Sequence, residues 1–124
     1  MVRKIILDTN FLLIPSQFNV DIFAEIDRIM LDKYQIFTLD KVIDELKVLT
    51  KDKKQKQRDK LAAKLGLMLV KAKKVKILKT KAGNADDILA EIKGYIIATQ
   101  DMALKRRIKG KKIVLRQKKR IILV

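Results

Sequence analysis

The side chains of this sequence that could do chemistry are mostly carboxylates, because histidine and cysteine are both absent. Without imidazole or thiol groups, the chain has no histidine-based triad, cysteine nucleophile, zinc–thiolate site or disulfide. The one serine, Ser16, has no histidine to activate it. Hydrolysis by this protein would therefore depend on carboxylates, usually together with a hard metal ion.

Carboxylates from four segments of the chain are expected to converge. Asp8 closes the first predicted strand, and Asp101 closely follows the fourth. Asp86 lies in the first turn of the helix after the third strand, and Glu45 lies on the helix after the second. Since the carboxyl ends of parallel strands share one edge of a sheet, these side chains are expected to meet there.

A shared acidic site of this kind is typical of a divalent metal centre. Crowded carboxylates repel one another and resist ionisation, and a cation removes that penalty. Mg²⁺ and Mn²⁺ prefer oxygen ligands, and Mg²⁺ in particular retains several waters. Such an ion can activate a water and stabilise charge on a phosphate oxygen. The acids are therefore expected to serve phosphodiester hydrolysis.

Each acid also has a simpler interpretation. Asp86, Asp87 and Asp101 could be helix N-terminal acids that the helix dipole favours. Glu45 could be a solvated side chain on its helix. Asp8 is harder to explain in this way, because a carboxylate at the end of a buried strand is costly without a partner. Taken together, the acids favour a functional site.

The positive charge is concentrated in two segments. The chain has 30 Lys and Arg against 14 Asp and Glu, a net charge of +16, and 24 of the 30 lie in residues 47–81 and 102–124. A protein this basic typically binds a polyanion, and nucleic acid is the common one. No apolar run reaches the roughly 18 residues of a membrane span. Asp8 interrupts the run that could begin a signal peptide, so a cytoplasmic location without a membrane is expected.

Strands and helices alternate along the chain, as the sheet requires. Apolar runs predict strands at residues 4–7, 34–39, 75–78, 95–98, 113–115 and 121–124. Apolar spacing predicts helices at residues 21–31, from an Asp40 N-cap through Leu49, at about 55–73, from Asn84 to Gly94, and at 101–108. This pattern predicts one α/β domain over residues 1–124, a three-layer α/β/α sandwich with a mainly parallel central sheet. Residues 116–120 are expected to form a hairpin loop.

The sequence resembles the PIN-domain family in several places. Residues 5–13, Ile-Ile-Leu-Asp-Thr-Asn-Phe-Leu-Leu, are similar to the opening motif of that family. Val-Ile-Asp-Glu-Leu at 42–46, Ala-Asp-Asp-Ile-Leu at 85–89 and Ala-Thr-Gln-Asp at 98–101 match its later acidic motifs in order and rough spacing. The resemblance covers essentially the whole chain.

The resemblance implies a metal-dependent endoribonuclease that uses Mg²⁺ or Mn²⁺. Carried over, the catalytic and metal-binding acids are Asp8, Glu45, Asp86 and Asp101, with Asp87 a close second to Asp86 as a metal ligand. Asn10 and Thr99 would support them through hydrogen bonds. The basic stretch Lys105, Arg106 and Arg107 is expected to contact RNA.

Two biological roles remain open within the family. One is a VapC-type toxin ribonuclease that an antitoxin holds, and the other is ribosomal RNA processing with a ribosome-assembly partner. Leu-Lys-Arg-Arg-Ile at 104–108 resembles the processing branch. The short, free-standing chain resembles archaeal VapC-like proteins, so an archaeal source is expected.

Three further alternatives concern the class and assembly of the protein. It could be a PIN module that binds RNA without cleaving it. It could instead be a phospho-acceptor receiver domain, which would need a lysine beside its acceptor aspartate. A homodimer through residues 21–31 is also open, although the core needs the apolar face of that helix.

Overall fold

A six-stranded sheet forms the centre of the computed structural model, which describes residues 2–124. Its strands are β1 (Arg3–Leu7), β2 (Tyr34–Leu39), β3 (Lys76–Leu78), β4 (Ile96–Ala98), β5 (Lys112–Arg116) and β6 (Arg120–Leu123). They lie in the order β3-β2-β1-β4-β5-β6, in which the first five are parallel and β6 is antiparallel to β5. The mainly parallel sheet and the closing hairpin are confirmed.

Helices connect the strands and complete the expected three-layer α/β/α sandwich. In residues 2–124 they are α1 (Thr9–Leu12), α2 (Ile14–Phe18), α3 (Ile22–Ile29), α4 (Asp40–Lys51), α5 (Gln57–Ala72), α6 (Ala85–Glu91) and α7 (Met102–Arg107). The sequence did not predict α1 and α2, because helices of about one turn are too short to show apolar periodicity. None of the described helices has both the length and the apolarity to cross a membrane.

The core takes up the apolar face of α3. Ile22 and Ile26 are fully buried, and Phe23 is nearly so. The face proposed for a homodimer therefore packs inside the monomer. The central strand β1 is buried on both faces from Ile5 to Leu7, as expected for a parallel strand between two helical layers.

Two predicted helix boundaries are wrong. Asp40 lies in the first turn of α4 rather than at the N-cap, which is Leu39. The Asp40 carboxylate instead accepts hydrogen bonds from the backbone amide of Lys41 (2.8 Å) and from the hydroxyl (2.6 Å) and amide (3.2 Å) of Thr80. It thereby ties the start of α4 to the segment after β3.

The helix expected to end near Gly94 ends at Glu91, and Gly94 occupies a turn with φ of 83°.

Close packing between α5 and α1 fixes the segment that follows β1. A Cβ atom at Gly66 would lie 2.9 Å from the carbonyl oxygen of Leu12. Only glycine allows this approach without displacing the backbone of α1. The position of α1 matters because its first residues follow Asp8 directly.

Candidate active site

The candidate site lies where β1 and β4 are neighbours in the sheet. The chain order of the strands reverses at this point, and parallel sheets leave a crevice outside the carboxyl ends of such strands. Asp8 follows β1, and Thr99 follows β4. The backbone amide of Asp8 donates to the carbonyl of Ala98 at 2.9 Å, which joins the two strand ends.

A cleft of about 410 Å³ opens at this edge, and all the predicted acids line it. They are Asp8, Glu45, Asp86, Asp87 and Asp101. Asn10 also lines the cleft, whereas Thr99 is fully buried behind it. The structure therefore brings carboxylates from four chain segments to one surface.

Asp8 is the buried acid of the cleft, with 4% of its surface exposed. Its Oδ1 accepts a hydrogen bond from the backbone amide of Thr9 (2.8 Å), and its Oδ2 accepts one from the hydroxyl of Thr99 (2.7 Å). The pKa of Asp8 is raised to about 6, mainly by burial and with smaller contributions from the charges of Asp86 and Glu45, although the two hydrogen bonds lower it. The cleft thus holds a carboxylate whose negative charge is poorly stabilised without a cation.

Hydrogen bonds of Thr99 and Asn10 join the loop after β4 to the loop after β1. The hydroxyl of Thr99, which donates to Asp8, accepts from the backbone amide of Asp101 at 3.1 Å. Gln100 donates its backbone amide to Asn10 Oδ1 at 3.0 Å and its side-chain amide to the Asn10 carbonyl at 2.7 Å. Thr99 thus contacts Asp8, and Asn10 contacts Gln100, while the supporting roles of Asn10 and Thr99 stay predictions.

Thr9 is a site residue to which sequence reasoning gave no role. Its hydroxyl donates to Glu45 Oε2 at 2.7 Å and so links α4 to the segment that follows Asp8. Glu45 itself is exposed, and this bond orients its carboxylate toward the cleft. The only signal in the sequence was the position of Thr9 between Asp8 and Asn10, because its partner is 36 residues away.

Asp86 and Asp87 have different surroundings in the first turn of α6. Asn84 caps this helix by accepting from the backbone amide of Asp87 at 2.8 Å. The Asp87 carboxylate forms an ion pair with Arg107 at 2.8 Å. The charge of Asp86, by contrast, acts on Asp8. The preference for Asp86 over Asp87 as a metal ligand stays a prediction.

Arg107 occupies a different position from its two neighbours in the basic stretch. It lines the cleft through its ion pair with Asp87, whereas Lys105 and Arg106 are not among the lining residues. All three lie in the last turn of α7. The expected RNA contact stays a prediction for all three residues, of which Arg107 is paired with Asp87 in the structure.

Asp101 is both a helix cap and a wall of the cleft. Its Oδ1 accepts from the backbone amide of Leu104 at 3.1 Å, which makes it the N-cap of α7. The simpler interpretation of this acid is thus correct for one carboxylate oxygen. Because a carboxylate has two oxygens and several lone pairs, capping leaves it able to bind a cation as well.

The carboxylate oxygens of the cleft are suitable ligands for a hard divalent cation, although the carboxylates do not surround one point. In residues 2–124, no three acidic side chains lie close enough to hold one ion between them. All the acids offer oxygen ligands, and the pKa of Asp8 is raised mainly by burial and to a smaller extent by the charges of Asp86 and Glu45. An ion such as Mg²⁺ retains several waters and needs only one or two direct carboxylates. The residues present therefore fit a hydrated divalent ion.

Comparison with known proteins identifies the family. The sequence pattern of the PIN like domain family matches residues 5–118. The chain belongs to this family. Ribonuclease VapC4 from Methanocaldococcus jannaschii is 34% identical over 123 residues, which cover 94% of this chain and 92% of that protein. The solved PIN domain endonuclease Utp24 superimposes with a TM-score of 0.72 at 24% identity, over 97% of this chain and 90% of that one.

Family membership confirms the resemblance that the sequence motifs indicated. The likeness to Utp24 independently shows that the fold is that of a PIN domain. The receiver-domain alternative is wrong, and the cleft also lacks the lysine that it requires among its described lining residues.

Proposed function

We propose that this PIN domain is a divalent-metal-dependent endoribonuclease that hydrolyses RNA phosphodiester bonds. The observation that carries the proposal is the cleft between β1 and β4, which the buried Asp8 shares with acids from three other segments. The named activity of the relative VapC4, a ribonuclease, supports the same reaction. The net charge of +16 supports RNA as the substrate.

Asp8, Glu45, Asp86 and Asp101 would hold the ion, with Asp87 a further candidate ligand. When bound, Mg²⁺ or Mn²⁺ supplies a more acidic water and a positive charge beside the phosphate. The chain's own contribution is orientation. Thr99 fixes one oxygen of Asp8, and Thr9 fixes the carboxylate of Glu45.

Arg107 is suited to neutralising the negative charge of Asp87 at the wall of the cleft. Its ion pair neutralises Asp87, so the phosphate backbone meets one acid fewer as it approaches. A guanidinium can also form two parallel hydrogen bonds to a phosphate. We infer that, when RNA enters the cleft, Arg107 breaks its ion pair with Asp87 and binds a phosphate of the RNA instead.

The biological role follows one of two courses, each with RNA as partner. As a VapC-type toxin, the protein would be held by an antitoxin, and in ribosomal RNA processing it would work with an assembly partner. The named relative supports the first course. The basic stretch after Asp101 supports the second. Both courses imply a cytoplasmic protein.

The test of this proposal compares cleavage with binding in Asp8→Asn. A mixed RNA is incubated with Mn²⁺, cleavage is followed on a gel, and filter binding is measured in parallel. We expect cleavage to be lost and binding to be retained, because the change removes an anion but no cation. Asp44→Asn, an exposed acid on α4 that does not line the cleft, is the matched control and should cleave normally.

Undiminished turnover by Asp8→Asn would remove Asp8 from the reaction. Binding without cleavage by the unmodified protein, with Mg²⁺ and with Mn²⁺, would instead favour the non-catalytic RNA-binding module.

A further inference from the structure

The tip of the β5–β6 hairpin concentrates cations in a way that folding does not require. Arg116 and Arg120 face each other across the antiparallel ladder, and Lys118 and Lys119 lie in the turn between them. Like charges directly opposite each other destabilise a strand pair. In residues 2–124, none of these four cations is within 4.0 Å of an acidic partner. The charges of Arg116, Lys118 and Lys119 are therefore available to a ligand. Arg120 lies near Glu25, whose pKa is lowered mainly by the hydrogen bond from Arg28 and also by the charge of Arg120.

The backbone of the turn is also unfavourable for the residues it contains. Gln117 and Lys118 have φ angles of 53° and 58°, and the turn closes through a hydrogen bond from the Lys119 amide to the Arg116 carbonyl (3.1 Å). Two successive positive φ angles are ordinarily met with asparagine and glycine. The sequence keeps long polar side chains at these positions despite the cost, which indicates a use for the side chains themselves.

The hairpin tip lies at the same edge of the sheet as the cleft. β5 is parallel to β4 and to β1, so its carboxyl end points the same way as Asp8. Ala98 at the end of β4 pairs with Ile113, and β5 continues for residues 114–116 beyond that pair. At a rise of about 3.3 Å per residue, the tip projects on the order of 10 Å past the end of β4.

A side-chain pair on α3 braces the outer edge of the hairpin. Glu25 Oε1 accepts from the backbone amide of Ile121, and Arg28 Nη2 donates to the carbonyl of the same residue, each at 3.1 Å. Glu25 and Arg28 are themselves paired at 2.7 Å. These bonds hold β6 at Ile121, the residue that directly follows Arg120, so the hairpin is fixed to α3 next to its tip.

We propose that the hairpin tip is a phosphate-binding arm that grips the RNA strand outside the cleft. This inference rests on the proposed function, because it gives the arm the same RNA as substrate. Arg116, Lys118, Lys119 and Arg120 would each face the phosphate backbone, and the brace from α3 would keep them at a fixed height above the acids. The arm binds without reading sequence, since phosphate contacts carry no base information.

The first test measures the salt dependence of RNA binding in chelator, where no cleavage can occur. The arm variant carries Arg116→Gln, Lys118→Gln, Lys119→Gln and Arg120→Gln. The matched control carries Lys33→Gln, Lys93→Gln, Lys109→Gln and Lys111→Gln, four exposed lysines that precede β2, β4 and β5 at the opposite edge. Both variants lose the same net charge, so they differ only in where the charge is removed. The probe is a fluorescein-labelled single-stranded oligouridylate, and thermal melts check that both variants fold.

For single-stranded RNA, the slope of log K against log salt is about −0.7 per phosphate neutralised. We therefore expect the arm variant to lose up to about 3 units of slope, and the control to keep the slope of the unmodified protein. Equal slopes for the two variants would overturn the inference and would leave an acidic protein as the better candidate ligand for the tip. Because this measurement does not involve cleavage, its outcome is independent of the Asp8→Asn test.

The second test locates the RNA directly and uses the absence of cysteine from the chain. Gln117→Cys places one thiol at the tip without removing a cation, and a photocrosslinker attached there should label the bound RNA. Lys93→Cys at the opposite edge is the control and should label far less. Equal crosslinking from both positions would contradict the arm.

Discussion

Asp8→Asn should change the pH dependence of stability in the metal-free protein. The carboxyl of Asp8 has a pKa of about 6 in the folded protein and an ordinary value of 3.8, because burial disfavours its charge. Between these two values the folded state holds a proton that the unfolded state has released. Stability therefore falls as pH rises through this window, and the loss is complete above pH 6.

The size of the effect follows from the pKa difference. One unit corresponds to about 1.4 kcal/mol, so a shift of roughly two units costs the folded protein about 3 kcal/mol at neutral pH. Asparagine has nearly the same shape and no charge. Asp8→Asn should therefore be more stable than the unmodified protein at pH 7 by an amount approaching this value, and the two should converge near pH 4.

Urea denaturation in chelator, repeated across this pH window, measures the effect. Asp44→Asn is the control, and it should keep the pH dependence of the unmodified protein because Asp44 is exposed and does not line the cleft. Parallel stability curves for Asp8→Asn and the unmodified protein would refute the argument that Asp8 is destabilised by burial and by neighbouring acids.

The other predictions concern the elements that hold the cleft. Asp101→Asn should leave the stability of the metal-free protein nearly unchanged, because asparagine caps a helix almost as well as aspartate. It should reduce the rise in melting temperature that Mg²⁺ or Mn²⁺ causes, and an undiminished rise would remove Asp101 from the site. Gly66→Ala should destabilise the protein by about 1 kcal/mol in urea melts, because crowding against Leu12 outweighs the gain in helix propensity. Equal or greater stability of the variant would contradict the close approach of Gly66 to the Leu12 carbonyl. Thr9→Val should slow RNA cleavage and leave the melting temperature nearly unchanged. Thr9→Ser keeps the hydrogen bond to Glu45 and should retain activity, so equal cleavage rates for the two variants would refute an orienting role for Thr9.

The main features of the fold follow from patterns within short stretches of sequence. The apolar runs predicted the strands because buried parallel strands are continuously apolar, as β1 is between Ile5 and Leu7. Acids that follow such runs, or that lie on the helices after them, predicted the cleft, because strand ends meet at one edge of the sheet. The set of acids that line one cleft was therefore predictable, whereas their roles, and the supporting roles of Asn10 and Thr99, stay predictions.

Pairings between distant side chains were not predictable in this way. Asp40 was expected to cap α4, but its carboxylate accepts two hydrogen bonds from Thr80, 40 residues later. The Thr9–Glu45 bond and the Arg107–Asp87 pair likewise join segments far apart in the sequence. Such contacts depend on how the elements pack, and the local pattern of residues contains no information on that.

Direct titration of the protein with Mn²⁺ tests the central claim, that the carboxylates of the cleft hold a divalent ion for RNA cleavage. Calorimetry should show binding to the unmodified protein and to Asp44→Asn, and strongly weakened binding to Asp8→Asn. The affinity should also fall below about pH 6, where Asp8 takes up a proton. Equal Mn²⁺ affinity in Asp8→Asn and the unmodified protein would contradict the claim.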